Sequence, residues 1–346
     1  MNLDQSNKNF IKPIPIMKKK LLLFSPLLLC MYANAQDNEQ TDKQKIEAAI
    51  ADKFSFARII DVKYTQFLPA DFDSELYDKD FVKGRIKNKS KFNAIVNLPI
   101  IMKPTWNLTG SAEYKYEAAD LEQVKDYNGI PQSTFDKKYD FHYLSAALSF
   151  TYFATLFEKT IIYNASLIVD GTEKDPQRIK GLVGASIVLK ATEKTIITVG
   201  VIVFADPTST LPLFPTFSLE HHFASGWVAD IVLPQRIYFT HNIFSNGRLS
   251  LGSELITDGF YMQPQQSGLS KVFDYRQMEV KSGLTYEHWL AKDLIATFKV
   301  GVSNVFNSRL TERGKSTNDY ILDTKQDGMG YFSLGFSFNP FTKKKK

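Results

Sequence analysis

The sequence predicts an all-β fold: a transmembrane, antiparallel, up-and-down β-barrel of about fourteen strands, with twelve as the alternative count. Three observations point there. The chain ends on a strand of inverted amphipathicity, Tyr331 to Phe338, with Phe332, Leu334, Phe336 and Phe338 on one face and Ser333, Gly335 and Ser337 on the other. A period of two places those sets on opposite sides of a strand, so bulky apolar groups meet one environment and small ones the other. Similar alternation recurs in fourteen segments from Phe54 onward. The connections between them sort into long polar and short, as in barrels with long external loops and short periplasmic turns.

Taken in order, the chain opens with Lys18-Lys19-Lys20, the apolar run Leu21 to Leu29, and Ala33-Asn34-Ala35 before Gln36. A charged region, a short apolar region and an A-x-A site make a secretory signal, with Met17 as an alternative start to Met1. The run is too short to span a membrane as a helix. Residues 1–35 are therefore assigned to a signal peptide with an N-terminal extension. Cleavage after Ala35 removes Cys30, the single cysteine, and with it disulfide and thiol chemistry. Residues 36–53 read as a polar periplasmic leader in which Gln44 to Ala51 could form a short helix. The barrel occupies 54–341, and 342–346 form a basic tail.

The alternating segments begin with Phe54–Leu68 and the run Phe92, Ala94, Val96, Leu98, Ile100. Trp106 to Glu117 is the clearest, with Trp106, Leu108, Ala112, Tyr114 and Tyr116 opposite Asn107, Thr109, Ser111, Glu113, Lys115 and Glu117. Next come Tyr139–Phe153, Thr160–Val169, Arg178–Leu189, Thr195–Ala205, Phe214–Phe223, Gly226–Leu233 and Arg236–Phe244. The Leu249/Leu251/Leu255 run, Phe273–Trp289, Leu294 to Val302 and the closing strand complete the set. Helical spacing fits these windows badly, because position i+2 is apolar and i+3 polar. Beyond the signal no run of eighteen apolar residues exists, which excludes a helical membrane protein.

Long connections are expected at Pro69–Ser90, Asp120–Lys138, Asp170–Gln177, Asp206–Leu213, Gly259–Val272 and Asn307–Gly330, and short ones between the other pairs. The tight Pro234-Gln235 connection is the one exception to the alternation. Asp258-Gly259, like Asn128-Gly129 and Asn246-Gly247, reads as turn chemistry. Trp106, Tyr139, Trp227, Tyr261, Trp289 and Tyr331 at strand ends suit aromatic girdles at the headgroup level.

If the apolar face meets lipid, the opposite parity lines the lumen. That assigns Glu113, Lys115, Glu117, Glu220, His222, Glu254, Glu279, Lys281, Glu287 and Lys299, with Asp230, to the inner surface. Charges at bilayer depth must face water or one another. They could form ion pairs that hold the wall together or a mixed-charge constriction that selects solutes.

The formal net charge of +5 is an end effect: five lysines against Asp4 before Gln36 give +4, the terminal lysines Lys343 to Lys346 another +4, and the body is left at −3. That is no footprint for nucleic acid. Catalytic and metal constellations are missing from the pattern. His142 and Ser145 have opposite parity, and the adjacent His221 and His222 point apart. No cofactor and no enzymatic activity are expected.

The signal, the Trp227-to-Arg236 stretch with Leu233-Pro234-Gln235-Arg236, and the closing Tyr331–Phe341 together resemble an uncharacterised family of outer-membrane β-barrel proteins common in the Bacteroidota. The resemblance implies a fold and a location, the cell outer membrane, rather than an activity. Its implied partners are outer-membrane lipid and the barrel-assembly machinery through the closing strand. Two departures stand out: five residues, including four lysines, follow Phe341, and residues 36–53 are too short for the hatch of a fatty-acid transporter. The expected function is a passive channel or small-solute transport barrel with a mixed-charge lumen. A non-conducting structural or adhesive barrel is the alternative, and a lipid-modifying barrel the third reading.

Overall fold

The structure is a computed structural model that describes residues 50–206, 212–263 and 272–340. The signal segment, most of the polar leader and the basic tail lie outside the described residues. Sixteen strands follow in order: β1 Ile60–Phe67, β2 Ala70–Leu76, β3 Lys79–Met102, β4 Trp106–Asp126, β5 Lys138–Leu156, β6 Lys159–Gly171, β7 Pro176–Ala191 and β8 Thr195–Ala205. Then come β9 Leu213–His222, β10 Trp227–Leu233, β11 Arg236–Ile243, β12 Gly247–Met262, β13 Phe273–Trp289, β14 Leu294–Glu312, β15 Tyr320–Gln326 and β16 Met329–Phe338.

They make fourteen staves of one closed antiparallel barrel. Strand β1 pairs with both β3 and β16, which closes the sheet. Strands β1 and β2 are one stave broken at Leu68-Pro69, because Phe67 faces Lys89 and Ala70 faces Ile86 in unbroken register on β3. Likewise β15 and β16 are one stave interrupted at Asp327-Gly328, opposite Arg309 to Ser303 of β14. A proline that cannot donate explains the first break. The fourteen alternating segments of the sequence map one to one onto these staves.

The exterior is the apolar face. Phe332, Leu334 and Phe336 of β16 are exposed while Ser333 and Ser337 are buried. The same holds on β5, where Leu144, Leu148, Phe150 and Tyr152 face out. A belt of this kind around a closed sheet is stable only in lipid, where no strand edge is left open to the hydrocarbon. No helix among the described residues is long and apolar enough to cross a membrane.

Three expectations change. The segments Pro69–Ser90 and Asn307–Gly330 are largely strand rather than loop, and Asp120–Lys138 is strand as far as Asp126. Strand β2 and the start of β3, the end of β4, and β14 with β15 continue the sheet outward, tied by pairs such as Asp323 opposite Glu75. Period two fades from the sequence there because neither face of that extension meets lipid. Asp258-Gly259 is not a turn but lies inside β12, paired with Gln277 and Arg276 of β13. Of the expected girdle aromatics, Tyr261 and Tyr331 are buried, Tyr261 donating a hydrogen bond to the inward Asp170, and Trp289 stacks on the inward Arg248.

The tight Pro234-Gln235 connection has a structural counterpart. Strands β10 and β11 have seven and eight residues, short of the roughly 9–11 that a tilted crossing needs. The wall is lowest there, and Gln235 bonds to Leu255 partway along β12.

Candidate functional site: the lumen

A cavity of about 620 Å³ lies inside the barrel. Eight carboxylates and eight Lys or Arg side chains border it, so it is charged but balanced. Glu113, Lys115, Glu220, His222, Glu254, Lys281, Glu287 and Lys299 are among its walls. Glu117 and Glu279 sit beside it, buried in ion pairs with Lys89 and Lys91. Asp230 is also on the wall, bonded to Arg236.

These groups form two clasps across the lumen. The inner clasp is built on the start of the described chain. Residues 50–53 form a helical turn, Ser55–Ala57 a 3₁₀ turn, and both sit within the barrel. Lys53 Nζ reaches Glu220 of β9 at 2.5 Å, and Asp52 accepts from Arg248 of β12 at 2.6 Å. Arg236 of β11 donates to the Lys53 carbonyl at 2.6 Å and covers the Phe54 ring at 4.0 Å. Arg58, fully buried, bridges Glu287 of β13 at 2.6 Å and Ser337 of β16 at 3.1 Å. The end of the polar leader therefore enters the lumen instead of standing free in the periplasm. Arg58 and Arg248 flank Glu287 from two sides, which satisfies a carboxylate that would otherwise be costly to bury.

The outer clasp joins β3 and β4 to β12 and β13. Lys91 Nζ lies 2.9 Å from Asp258, 3.0 Å from Glu279 and 3.3 Å from Glu117. Lys115 reaches the other oxygen of Asp258 at 3.2 Å. Ser303 donates to Glu279 at 2.5 Å, and Lys281 pairs with the same carboxylate at 3.3 Å while lying over the Phe67 and Tyr331 rings. Between the clasps, Lys299 holds Glu254 at 2.8 Å.

Further out, β12 leans against β5. Phe260 packs on Phe141, and Tyr143 stacks on Tyr261. Both tyrosine hydroxyls donate to Asp170 of β6, at 2.9 and 2.8 Å. Lys180 pairs with Asp170, and Arg178 with Asp274 at 3.1 Å. This row draws the outer rim of β6 and β7 to β12 and β13.

Parity alone could have found Lys91, which shares a face with Asn93 and Asn97. Asp258 was hidden by its Asp-Gly signature, and Asp52, Lys53 and Arg58 by a segment without period. His142 faces outward, its Nδ1 2.8 Å from the Tyr114 hydroxyl, and His221 bonds Thr195 on the side opposite His222. No group of three or more potential metal ligands occurs among the described residues.

A closed, lipid-faced antiparallel barrel with a water-compatible interior defines an outer-membrane β-barrel protein, and that is the class of this chain. No protein-family model matches it, and no curated protein does. Solved structures with similarity include a FadL homologue of Pseudomonas aeruginosa (7% identity, 84% of this chain, 94% of that chain, TM-score 0.39). Others are an outer-membrane channel from Pseudomonas putida F1 (10%, 81%, 94%, 0.36) and the outer-membrane phospholipase A of Escherichia coli (10%, 80%, 96%, 0.32). At TM-scores below 0.5 these likenesses assign no activity.

Proposed function

We propose that the protein is a gated passage for small solutes across the outer membrane, held closed at rest by the inner and outer clasps. The supporting observation is the chamber between them. A barrel that served only as a scaffold would gain from packing its interior, whereas this one keeps about 620 Å³ open, within the roughly 300–1,000 Å³ of small-ligand sites. Fourteen staves also give a width between side-chain-filled and wide-pore barrels. The clasps are joined across the lumen by ion pairs and hydrogen bonds, which water can replace, with Lys91 and Lys281 of the outer clasp resting on the buried Phe67 ring. No catalytic step is assigned.

The test is single-channel current from refolded protein in a planar bilayer, with Lys281→Glu and Lys299→Glu beside wild type. Each reversal places a second carboxylate against Glu279 or Glu254. Discrete steps whose selectivity moves toward cations in both variants support the reading. An inserted, folded barrel that passes no current in any of the three refutes it. Partner binding by the outer extension is the second reading, favoured by the β2–β15 pairing that holds it together and by Tyr77, 66% exposed at its tip. Loss of binding on deleting residues 72–84, with conductance kept, would support it.

A further inference from the structure

The inner surface has two unlike halves. On the side of β10–β14, β16, β1 and β3 the inward side chains are charged or hydroxylated and mostly buried: Asp61, Lys281, Glu287, Ser303 and Ser333 are each below a tenth exposed. On β5–β9 the inward positions are fixed by register. Ser149 faces Ser166, Asn164 faces Gly184, Ser186 faces Gly200, and Gly200 faces Thr216. Directly opposed residues share a face of the sheet, and Glu220, two positions beyond Ser218 on β9, borders the cavity. This half-wall therefore looks into the lumen.

Two properties set it apart. Between the Asp170–Arg178–Lys180 row at the outer end and Glu220 at the other, none of its inward side chains is charged. None is buried either: every inward position from Ser145 to Phe153, Ile162 to Ile168, Leu182 to Val188, Thr198 to Phe204 and Phe214 to Ser218 is partly exposed. Solvent therefore reaches an uncharged inner wall here, apart from the charged chamber, which β9 borders only through Glu220 and His222. The wall is lined toward its outer end by Leu182, Ile202, Phe204 and Phe214, with the two phenylalanine rings edge-on at 5.8 Å. Below them lies a band of hydroxyl, amide and glycine positions, in which Ser149 and Ser166 bond at 2.8 Å.

An ion following this wall would lose hydration without meeting a counter-charge, a cost that a neutral solute does not carry. Serine, threonine and asparagine side chains can both donate to and accept from a solute's hydroxyls in place of water, and the apolar residues fit a flat hydrocarbon face. We infer that the permeant is an uncharged, hydroxylated small molecule with one apolar face, the chemistry of a neutral sugar ring, and that it travels along β5–β9 once the clasps on the opposite wall separate. This inference rests on the transport reading above.

The test is isosmotic swelling of liposomes carrying the refolded protein, in glucose, gluconate or glucosamine, with Ser166→Asp and Gly184→Trp. Gly184 has room for a side chain, since a Cβ there comes no nearer than 3.5 Å to Val201 O. Gly184→Ala is the milder control, and heat-modifiable gel mobility reports folding. Glucose should enter at least about tenfold faster than either charged analogue, a difference of about 1.4 kcal/mol. Gly184→Trp should slow it severalfold, and Ser166→Asp should raise glucosamine entry over gluconate. Equal entry of the three solutes, or rates indifferent to both substitutions, overturns the inference while leaving transport intact. Folded protein that admits none of the three overturns the transport reading itself.

Discussion

Asp258→Asn perturbs the outer clasp at its centre. The carboxylate holds Lys91 at 2.9 Å on one oxygen and Lys115 at 3.2 Å on the other. Asparagine keeps the shape and one acceptor but removes the charge. Removing one partner of a buried ion pair costs about 3–5 kcal/mol, because the other charge is stranded. Here Lys91 keeps Glu279 at 3.0 Å and Glu117 at 3.3 Å, and Lys115 keeps Glu113 at 3.5 Å. The loss should therefore fall at the lower edge, about 3 kcal/mol. Urea unfolding of the refolded barrel in lipid, followed by tryptophan fluorescence, measures it. Adding Lys115→Met removes the second cation that Asp258 holds, and the double-mutant cycle isolates the coupling between the two. A single variant within about 0.5 kcal/mol of wild type, the range of an ordinary surface change, would show that the clasp is solvated and would refute the reasoning.

Other substitutions probe separate parts. Arg236→Ala removes the bond to the Lys53 carbonyl, the cover over Phe54 and the pair with Asp230, which keeps Lys53 at 3.6 Å, so it should raise the open probability in bilayer recordings severalfold while the barrel stays folded. Phe336→Arg puts a cation on the lipid face at a side chain that is 55% exposed; about 2–4 kcal/mol of stability should be lost in unfolding titrations from lipid. Gly283 and Gly301 face each other on β13 and β14, and a Cβ on Gly283 would lie 2.6 Å from the Gly301 Cα and overlap the Val300 carbonyl. Gly283→Val should therefore abolish the heat-modifiable folded band on gels.

The sequence carried the barrel because each stave repeats one signal, apolar outward and polar inward, and the Phe332-to-Phe338 strand states it most plainly. Parity then placed Lys281 and Lys299 on the inner face without any knowledge of partners. What it could not carry was contact across the lumen. The partners of Lys91 lie on β4, β12 and β13, and no local pattern joins them. Asp258 followed by glycine imitates a turn, and only the long register between β12 and β13 shows otherwise. Residues 50–57 bind through single polar contacts to strands far along the chain, so they left no period to read. The outward continuation of β3, β4 and β14 was missed for a related reason: apolar residues such as Val82, Ile86 and Val124 are buried there instead of facing lipid, so the alternation that marks a strand in lipid is lost.

On the proposed function, the lumen is closed by its clasps and opens when they are broken. Single-channel recording of wild type beside the Arg236→Ala/Asp258→Asn double variant, at matched insertion, measures this directly. Brief, infrequent openings in wild type and long-lived openings of larger conductance in the double variant are the predicted result. Identical currents from the two proteins, or a folded double variant that stays silent, would contradict it.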